Sequence, residues 1–506
     1  MISPRADKND DLSIYMDLRK ILNSVDADNS FSNANITSVS HDSRKLEDGR
    51  DCLFVAVNGL DFDGHKFIGD AYDFGCENFL VNNNRQDELT NKYPDANFIS
   101  VADTQKALPI IAKNFYGDPS SKMKVIGITG TNGKTTTAFA VFSCLRKLGK
   151  KVGLIGTIEY RICDKVISAP NTTPDALFLN ELMDQMINGG VEYLVMEVSS
   201  HALSLHRVDG LNFDVVAFTN FTQDHLDYHK NMDDYLRAKL KIFDILAESR
   251  EKKKTAIVNG DMNQFQISNN EIIFKTTSLK NSDADYYANK IKTSVEGSQF
   301  VLNTSSGNVQ MKIAMPGQLN VYNFTMAFAI LTELGFTKRN IAKNLEDIKV
   351  KGRMETVENN KGIGVIIDYA HTPDGLENLL RTIREIVEPN KKIITVFGAG
   401  GDRDKTKRPL MGKIASELSD DIVITSDNPR TEEPIKIIKD IKTGISDSCK
   451  DCKVMEDREK AIKYALTRAK KGDIVVIAGK GHEEYQIIGS LKKEFSDRKI
   501  VEEFFG

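Results

Sequence analysis

The feature that most constrains this chain is a glycine-rich loop between a short apolar run and a helical pattern. The run spans residues 124–129 and predicts a buried strand, and the helical pattern spans residues 134–148. Glycines allow the backbone N–H groups of such a loop to face phosphate oxygens, and the N-terminus of the following helix adds partial positive charge. The sequence therefore predicts a nucleotide site on a strand–loop–helix unit.

The loop ends in Gly133-Lys134-Thr135, but Ile128 replaces the usual first glycine of the pattern G-x-x-x-x-G-K-[ST]. Lys134 is expected to reach the β and γ phosphates, and the Thr135 hydroxyl is expected to bind Mg²⁺. We therefore expect ATP and Mg²⁺ as cofactors. The loop residues expected to contact ATP are Gly130, Thr131, Asn132, Gly133, Lys134, Thr135 and Thr136.

Apolar runs and helical patterns alternate along the rest of the chain, which predicts βαβ units and a mainly parallel sheet. A second alternating block follows Gly352-Arg353 and is typical of a doubly wound domain. One hydrophobic core rarely exceeds about 250–300 residues, and this chain has 506. The predicted fold class is α/β with three domains, at residues 1–103, 104–350 and 351–506. The strands predicted after the loop are 193–198, 214–219, 255–259, 364–368, 392–397, 421–425 and 473–478.

Charge and hydropathy limit the possible partners. The chain has 68 lysines and arginines against 72 aspartates and glutamates, without the basic excess of a general nucleic-acid or membrane-surface binder. No apolar run approaches the ~18 residues that a membrane span needs, and the polar N-terminus lacks the apolar region of a secretory signal. We expect a cytoplasmic monomer with no nucleic-acid partner and no membrane insertion.

Polar side chains follow several predicted strands. Glu197 ends the run 193–198, where an acidic residue beside a phosphate loop suits a Mg²⁺ ligand. The segment 219–229 follows the next run and contains Asp224 and His225. A salt bridge or helix cap for Glu197, and capping of the following helix by Asp224, are the alternative interpretations.

The loops after the strands of the last block carry a mixed set of charges. Arg403 and Arg430 could hold a carboxylate, and Asp427 and Glu483 could hold an ammonium group. In a doubly wound sheet such loops meet at the carboxyl edge. The set therefore suits an amino acid zwitterion, with separate surface salt bridges as the alternative.

Taken in order, the motifs of this chain resemble those of the Mur ligases of peptidoglycan synthesis over nearly its whole length. Any single motif is modest support, whereas all of them in family order are highly specific. The motifs lie at residues 130–135, 196–201, 219–229, 316–323, 352–355, 368–374, 400–404 and 479–483.

The resemblance implies a first domain that binds a UDP end, a central ATPase domain and a Rossmann-like third domain that brings an amino acid. It is strongest to the members that add the third peptide residue to UDP-N-acetylmuramoyl-L-alanyl-D-glutamate, through an acyl phosphate. Asp427-Asn428-Pro429-Arg430 resembles the tetrad of members that add meso-2,6-diaminopimelate, whose distal carboxylate Arg430 would bind. L-lysine or another diamino acid remains an alternative.

The resemblance also assigns roles to single residues. Catalytic roles fall on Lys134, Glu197, His225 and Lys239, with Lys239 carried as a carbamate (N6-carboxylysine) that faces Mg²⁺. Glu197 and His225 would complete the protein contacts of a second Mg²⁺, beside the ion expected at Thr135. ATP would further contact Asn320, Asn323, Arg353 and Asp368. The UDP-muramoyl dipeptide would contact Ser43, Asn171, Thr172, Thr173, Ser199 and Arg207. The amino acid would contact Arg403, Asp427, Asn428, Pro429, Arg430, Gly479 and Glu483.

Three other functions stay open at this point. A folylpolyglutamate-type ligase would share the ATPase motifs but not the uridine-side domain or the tetrad. A P-loop regulator or motor would hydrolyse ATP when stimulated by a partner, without forming an amide. A nucleotide-sugar binding module would carry out no chemistry, which the joint presence of Lys134, Glu197 and His225 argues against.

Overall fold

The structure of the chain is a computed structural model. It describes residues 15–28, 30–46, 49–59, 62–225, 228–250, 253–262, 269–446 and 451–506. The described residues form three main sheets in succession along the chain, each covered by helices. Across the described ranges, no helix is both long and apolar enough to cross a membrane.

The first sheet is parallel, and its strands lie side by side in chain order. Each strand pairs with the next one along the chain, as is usual for consecutive βα units. Apolar side chains of its strands face helices on both sides. The strands are Ser38–Ser40, Cys52–Val55, Asn78–Asn82 and Asn97–Val101. The helices are Leu18–Ile21, Ile68–Asp73, Gln86–Lys92 and Thr104–Phe115, with 3-10 turns at Ser43–Lys45, Gly64–Phe67, Asn83–Arg85 and Pro119–Lys122. A small antiparallel pair joins Met16–Asp17 to Asn35–Ile36.

The central sheet is parallel from Val152–Ile155 through Tyr286–Ser294 and antiparallel at both edges. Its strand order places Lys124–Thr129 between Tyr193–Glu197 and Val215–Phe218, so their carboxyl ends lie side by side. In spatial order the strands are Lys165–Ser168, Glu159–Ile162, Val152–Ile155, Tyr193–Glu197, Lys124–Thr129, Val215–Phe218, Thr255–Asn259, Ile273–Ser278, Tyr286–Ser294, Gly297–Thr304 and Gly307–Ile313.

Helices cover the central sheet on both faces, which explains why its central parallel strands, such as Val152–Ile155 and Val215–Phe218, are buried along their whole length. One face packs against Lys134–Lys147, Gln318–Glu333 and Lys338–Leu345. The other face packs against Ala176–Asn188 and Met232–Glu248. A short helix, Ser200–Ser204, follows the strand that ends at Glu197.

The third sheet is doubly wound and parallel apart from its first short strand. In spatial order its strands are Glu355–Thr356, Gly364–Asp368, Ile474–Ala478, Ile393–Phe397, Asp421–Ile424 and Cys452–Val454. Its helices are Pro373–Ile386, Lys407–Leu418, Pro434–Lys442, Arg458–Arg468 and Asp497–Phe505, with a hairpin of Tyr485–Ile488 and Leu491–Glu494.

The α/β class with three domains is confirmed, and every strand predicted after the glycine-rich loop is present within one or two residues. The sequence did not predict the antiparallel strands at the edges of the central sheet. These strands alternate buried and exposed residues, and one of them, Lys165–Ser168, is largely exposed, so they lack the continuous apolar run of a buried parallel strand. The domain boundaries themselves remain a prediction.

Candidate active site

The phosphate loop, residues 130–136, is shaped by two glycines with positive φ. Gly130 has φ +139° and Gly133 has φ +84°. A Cβ atom at Gly130 would collide with the side chain of Thr219, and one at Gly133 would collide with Asn323. Glycine is therefore required at both positions for conformation and for space.

Two lysines meet behind this loop. Lys134 Nζ donates hydrogen bonds to the carbonyl oxygens of Gly130, at 2.9 Å, and Thr131, at 2.8 Å. Lys239, on the helix Met232–Glu248, donates to the same Gly130 oxygen at 2.7 Å and lies 4.6 Å from the ring centre of Tyr235. Burial, reinforced by the charge of Lys134, lowers the pKa of Lys239 well below its ordinary value. Burial also lowers the pKa of Lys134, against the opposing charges of Glu197 and Asp224.

Glu197 is fully buried and lies beside the phosphate loop. Its Oε2 accepts hydrogen bonds from Thr135 Oγ1 at 2.9 Å and Thr157 Oγ1 at 3.0 Å, and its Oε1 accepts from Thr157 N at 2.9 Å. Carboxylate and hydroxyl oxygens next to a phosphate site are the donors that Mg²⁺ prefers, because it retains waters and binds substrate phosphates with few protein ligands. Thr135 and Glu197 therefore fit a Mg²⁺ ion, and no cluster of three acidic, histidine or cysteine ligands occurs among the described residues.

The third domain contacts the phosphate loop directly. Asn132 Nδ2 donates to Asp374 Oδ2 at 2.7 Å, and Thr222 Oγ1 donates to the same oxygen at 3.1 Å. Arg353 NH2 donates to Thr135 Oγ1 at 3.2 Å. The domain that carries the mixed-charge loops is thus held against the loop that carries the nucleotide motif.

Two adjoining cavities lie in this part of the described structure. The central cavity, of about 650 Å³, is lined in part by the phosphate loop. The second cavity, of about 430 Å³, lies between the central and third domains, and we name it the amino-acid cavity after the ligand predicted for its charged residues. Residues that line both are Asp224, His225, Tyr369, His371, Thr372, Arg403, Arg430 and Glu483. The two cavities therefore adjoin and share these residues as a common wall.

Three residues of the tetrad, Asp427, Asn428 and Arg430, line the amino-acid cavity and bring charges of both signs to it. Arg430 NH1 donates to the carbonyl oxygen of Gly401 at 2.8 Å, and its Nε and NH2 donate to none of the described residues. The Asp427 carboxylate is buried, which opposes ionisation, but the charges of Lys480 and Arg458 lower its pKa overall. Asp427 Oδ2 has no hydrogen-bond partner in the described part of the chain.

Asp368 ends a strand of the third sheet at the wall of the central cavity. Its Oδ2 accepts from Met354 N at 2.7 Å, and its Oδ1 accepts from Ala370 N at 2.8 Å. Burial raises the pKa of Asp368, although Arg353 opposes this shift. In this structure Asp368 orders the backbone on both sides of the cavity wall.

Most of the predicted site residues come together. Ser43 lies apart from both cavities, in the first domain. Gly130, Lys239 and Pro429 support the cavities from behind without lining them. Leu226 and Asp227, within the predicted segment 219–229, lie outside the described residues. The predicted residues that line the central cavity are Thr131, Asn132, Gly133, Lys134, Thr135, Thr136, Asn171, Thr172, Thr173, Glu197, Ser199, Arg207, His225, Asn320, Asn323, Arg353, Asp368, Arg403, Arg430 and Glu483. Those that line the amino-acid cavity are His225, Arg403, Asp427, Asn428, Arg430, Gly479 and Glu483.

Several supporting residues were not predicted. Thr157 follows the strand Val152–Ile155. Its position after the carboxyl end of a parallel strand could have identified it as a site residue. Asp374 and His371 fall within a motif whose role was assigned only to Asp368. Lys480 lies inside the motif 479–483, but nothing in the pattern distinguishes a buried lysine from an exposed one.

Three Mur ligase families match successive parts of the chain. The family described as "Mur ligase family, catalytic domain" matches residues 35–116. The "Mur ligase middle domain" matches residues 128–331, and the "Mur ligase, glutamate ligase domain" matches residues 352–481. The matched regions contain the three sheets in the same order.

Curated relatives match over nearly the full length. The UDP-N-acetylmuramoyl-L-alanyl-D-glutamate–2,6-diaminopimelate ligase of Caldanaerobacter subterraneus is 42% identical over 473 residues, which cover 93% of this chain and 95% of the relative. The ligase of the same name from Bacillus velezensis is 41% identical over 496 residues, which cover 96% of this chain and 98% of the relative.

Solved structures have the same architecture. A UDP-N-acetylmuramoyl-L-alanyl-D-glutamate–2,6-diaminopimelate ligase is 30% identical with a TM-score of 0.66, over 93% of this chain and 95% of that one. The D-alanyl-D-alanyl-adding ligase of Acinetobacter baumannii, at 18% identity and a TM-score of 0.61 over 92% and 95% of the two chains, is similar in fold. With its motifs, sheets and cavities in this arrangement, the chain belongs to the Mur ligase family.

Proposed function

We propose that this chain is an ATP-dependent ligase that adds 2,6-diaminopimelate, in its meso form, to the D-glutamate of UDP-N-acetylmuramoyl-L-alanyl-D-glutamate. The reaction belongs to the synthesis of peptidoglycan precursors for the cell wall. The observation that supports it best is that two adjoining cavities share lining residues, one being lined by the phosphate loop and the other by a zwitterion-like set of charges. An activated carboxylate in the first cavity would therefore lie close to an amine bound in the second.

In the first step, the γ-carboxylate of D-glutamate attacks the γ-phosphate of ATP and ADP leaves. Lys134 is placed to neutralise charge on the transferring phosphoryl group once ATP displaces its bonds to the loop carbonyls. Thr135 and Glu197, with His225 at the same cavity, would hold Mg²⁺, which supplies further charge neutralisation when bound.

In the second step, the amine of the incoming amino acid attacks the acyl phosphate. The unprotonated amine forms the new C–N bond and gives a tetrahedral intermediate. The bond from carbon to the phosphate oxygen then breaks, inorganic phosphate leaves, and the nitrogen releases one proton to the departing phosphate or to water. Glu483 and Asp427 would hold an ammonium group, and Arg403 and Arg430 would hold carboxylates. The contact of Asp374 with Asn132 holds the two domains together, which helps to exclude water from the acyl phosphate.

The UDP-linked substrate would extend from the central cavity toward the first domain. The residues that would contact it there line the central cavity and are Asn171, Thr172, Thr173, Ser199 and Arg207. Arg207 NH1 donates to the carbonyl oxygen of Thr173 at 2.9 Å, which fixes this wall. Ser43 is assigned to the uridine end.

The natural amino acid is proposed from the environment of Arg430. Its Nε and NH2 are available for a carboxylate at the far end of the amino-acid cavity, and L-lysine has no carboxylate at that end. Because one chain supplies the residues of both cavities, we propose a monomer. Its requirement for ATP makes the cytoplasm its proposed compartment.

Positional isotope transfer tests the acyl phosphate. The UDP-linked dipeptide is prepared with ¹⁸O in the γ-carboxylate of D-glutamate and incubated with ATP, Mg²⁺ and diaminopimelate. The released phosphate is expected to carry one ¹⁸O atom per amide formed. Phosphate without label, or phosphate released equally fast without the dipeptide, would contradict the proposal.

A further inference from the structure

Lys480 is a fully buried lysine directly after the strand Ile474–Ala478. Its Nζ donates hydrogen bonds to Asn428 Oδ1 at 2.9 Å and to Glu483 Oε2 at 3.0 Å. It lines neither cavity, so it has no route to a substrate. A buried ammonium group is costly unless it is paired and hydrogen-bonded, and these partners supply the compensation.

The bonds of Lys480 fix the orientation of the Asn428 amide. Asn428 Oδ1 accepts from Lys480 Nζ and from the backbone N–H of Ile487, at 3.0 Å. With two donors at this end, the oxygen and nitrogen of the amide cannot exchange places. Asn428 Nδ2 therefore points at Glu483 Oε2, to which it donates at 2.8 Å.

The same bonds determine which oxygen of Glu483 is left for a ligand. Oε2 is occupied by Lys480 and Asn428. Oε1 accepts no hydrogen bond within the described part of the chain, and Glu483 lines both cavities. The charge of Lys480 also favours the ionised form of Asp427, which lines the same cavity. The buried ammonium group of Lys480 thus positions Glu483 and favours the charged form of Asp427, the two acidic side chains expected to bind an ammonium group.

We propose that Lys480 is a positioning residue for the amino-acid subsite. It holds Asn428 and Glu483 so that Glu483 Oε1 faces the ammonium group of the incoming amino acid. This inference rests on the proposed function and adds a residue that acts through Glu483 without touching the substrate. Removal of the Lys480 ammonium group should therefore weaken the binding of the incoming amino acid and leave the binding of ATP and of the UDP-linked dipeptide unchanged.

The test compares Michaelis constants in Lys480→Met, which keeps an unbranched apolar stem but removes the charge and the hydrogen-bond donor. The KM for diaminopimelate is expected to rise about tenfold or more, which corresponds to one lost charged hydrogen bond. The KM values for ATP and the UDP-linked dipeptide are expected to stay within about twofold. Lys480→Gln should shift the same constant in the same direction and replaces the methionine variant if that protein does not fold.

Leu466→Ala is the matched control for destabilisation, because Leu466 is buried in the same domain but lies on the opposite face of the sheet from Pro373–Ile386. It should lower the melting temperature without a selective rise in the KM for diaminopimelate. A selective rise in Leu466→Ala as well, or equal rises for all three substrates in Lys480→Met, would mean that Lys480 is merely structural.

Coupling to Glu483 separates positioning from a direct role. In a Glu483→Gln background, Lys480→Met should raise the KM for diaminopimelate by less than about threefold, because the group through which it acts is already neutral. A full tenfold effect in that background would overturn the inference. Absence of ligation by the unaltered enzyme would instead overturn the proposed function, so the two failures are distinguishable.

Discussion

Lys239 and Lys134 donate hydrogen bonds to one acceptor, the carbonyl oxygen of Gly130, at 2.7 Å and 2.9 Å. Two ammonium groups this close repel each other, and Lys239 is buried besides. Both effects lower the pKa of Lys239, so a neutral amine is more accessible at this position than at an exposed lysine. A neutral amine is the form that reacts with CO₂, which makes the predicted carbamate of Lys239 chemically reasonable.

Activity is therefore expected to depend on bicarbonate. Enzyme prepared in CO₂-free buffer should ligate slowly and gain activity when bicarbonate is added. With ¹³C-bicarbonate, an NMR carbamate signal should appear in the unaltered enzyme and be absent from Lys239→Arg. Full activity in CO₂-free buffer, or the same signal in Lys239→Arg, would contradict carbamate formation at this residue.

Replacing Lys239 by methionine should stabilise the CO₂-free protein at neutral pH while removing activity. The folded-state pKa of Lys239 lies below its ordinary value of 10.5, so the unfolded chain binds more protons in the interval between the two. The stability of the unaltered chain should accordingly rise with pH up to about 10.5, relative to the methionine variant. Thermal unfolding at several pH values measures the difference in stability between the two proteins. This difference should shrink as the pH rises, and a difference that grows with pH would contradict the prediction.

Asp374→Ala should weaken the contact between the third domain and the phosphate loop. It removes the acceptor for Asn132 and Thr222, and a hydrogen bond to a charged group is worth about 1.5–3 kcal/mol. The expected result is a fall of about tenfold or more in kcat/KM for ATP. Glu385→Ala, an exposed position on the same helix, is the control and should leave kcat/KM unchanged. Equal values for the two variants would show that the contact has no kinetic role.

Breaking the fully buried pair of Arg458 and Asp497 should destabilise the third domain more than breaking a surface ion pair. Asp497 accepts from Arg458 Nε and NH2, both at 2.8 Å. Asp497→Asn leaves the buried guanidinium without its hydrogen-bonded counter-charge, which is expected to cost about 3–5 kcal/mol. Glu502→Gln, which breaks a surface pair with Arg498 on the same helix, should cost less than about 1 kcal/mol. Urea unfolding of both variants measures this difference, and similar costs would refute the ranking.

The sequence predicted the residues that carry the chemistry better than the residues that position them. Glu197 ends one parallel strand, and Lys134 and Thr135 follow the loop after its neighbour. The carboxyl ends of neighbouring parallel strands lie at one edge of the sheet, so the sequence alone brings these residues together. Thr157 and Lys480 could not be assigned in advance, because their roles depend on which side chains the tertiary fold places within 3 Å of them. The contact of Asp374 with Asn132 depends on how two domains pack, which no local pattern encodes.

The most direct test of the central claim is the mass of the product formed by purified enzyme with ATP, Mg²⁺ and UDP-N-acetylmuramoyl-L-alanyl-D-glutamate. Parallel reactions contain meso-diaminopimelate, L-lysine or no amino acid. We expect a UDP-linked tripeptide, with stoichiometric phosphate, in the diaminopimelate reaction and little product with L-lysine. A lysine-containing product formed equally well would contradict the role of Arg430, and no amide with either amino acid would contradict the ligase itself.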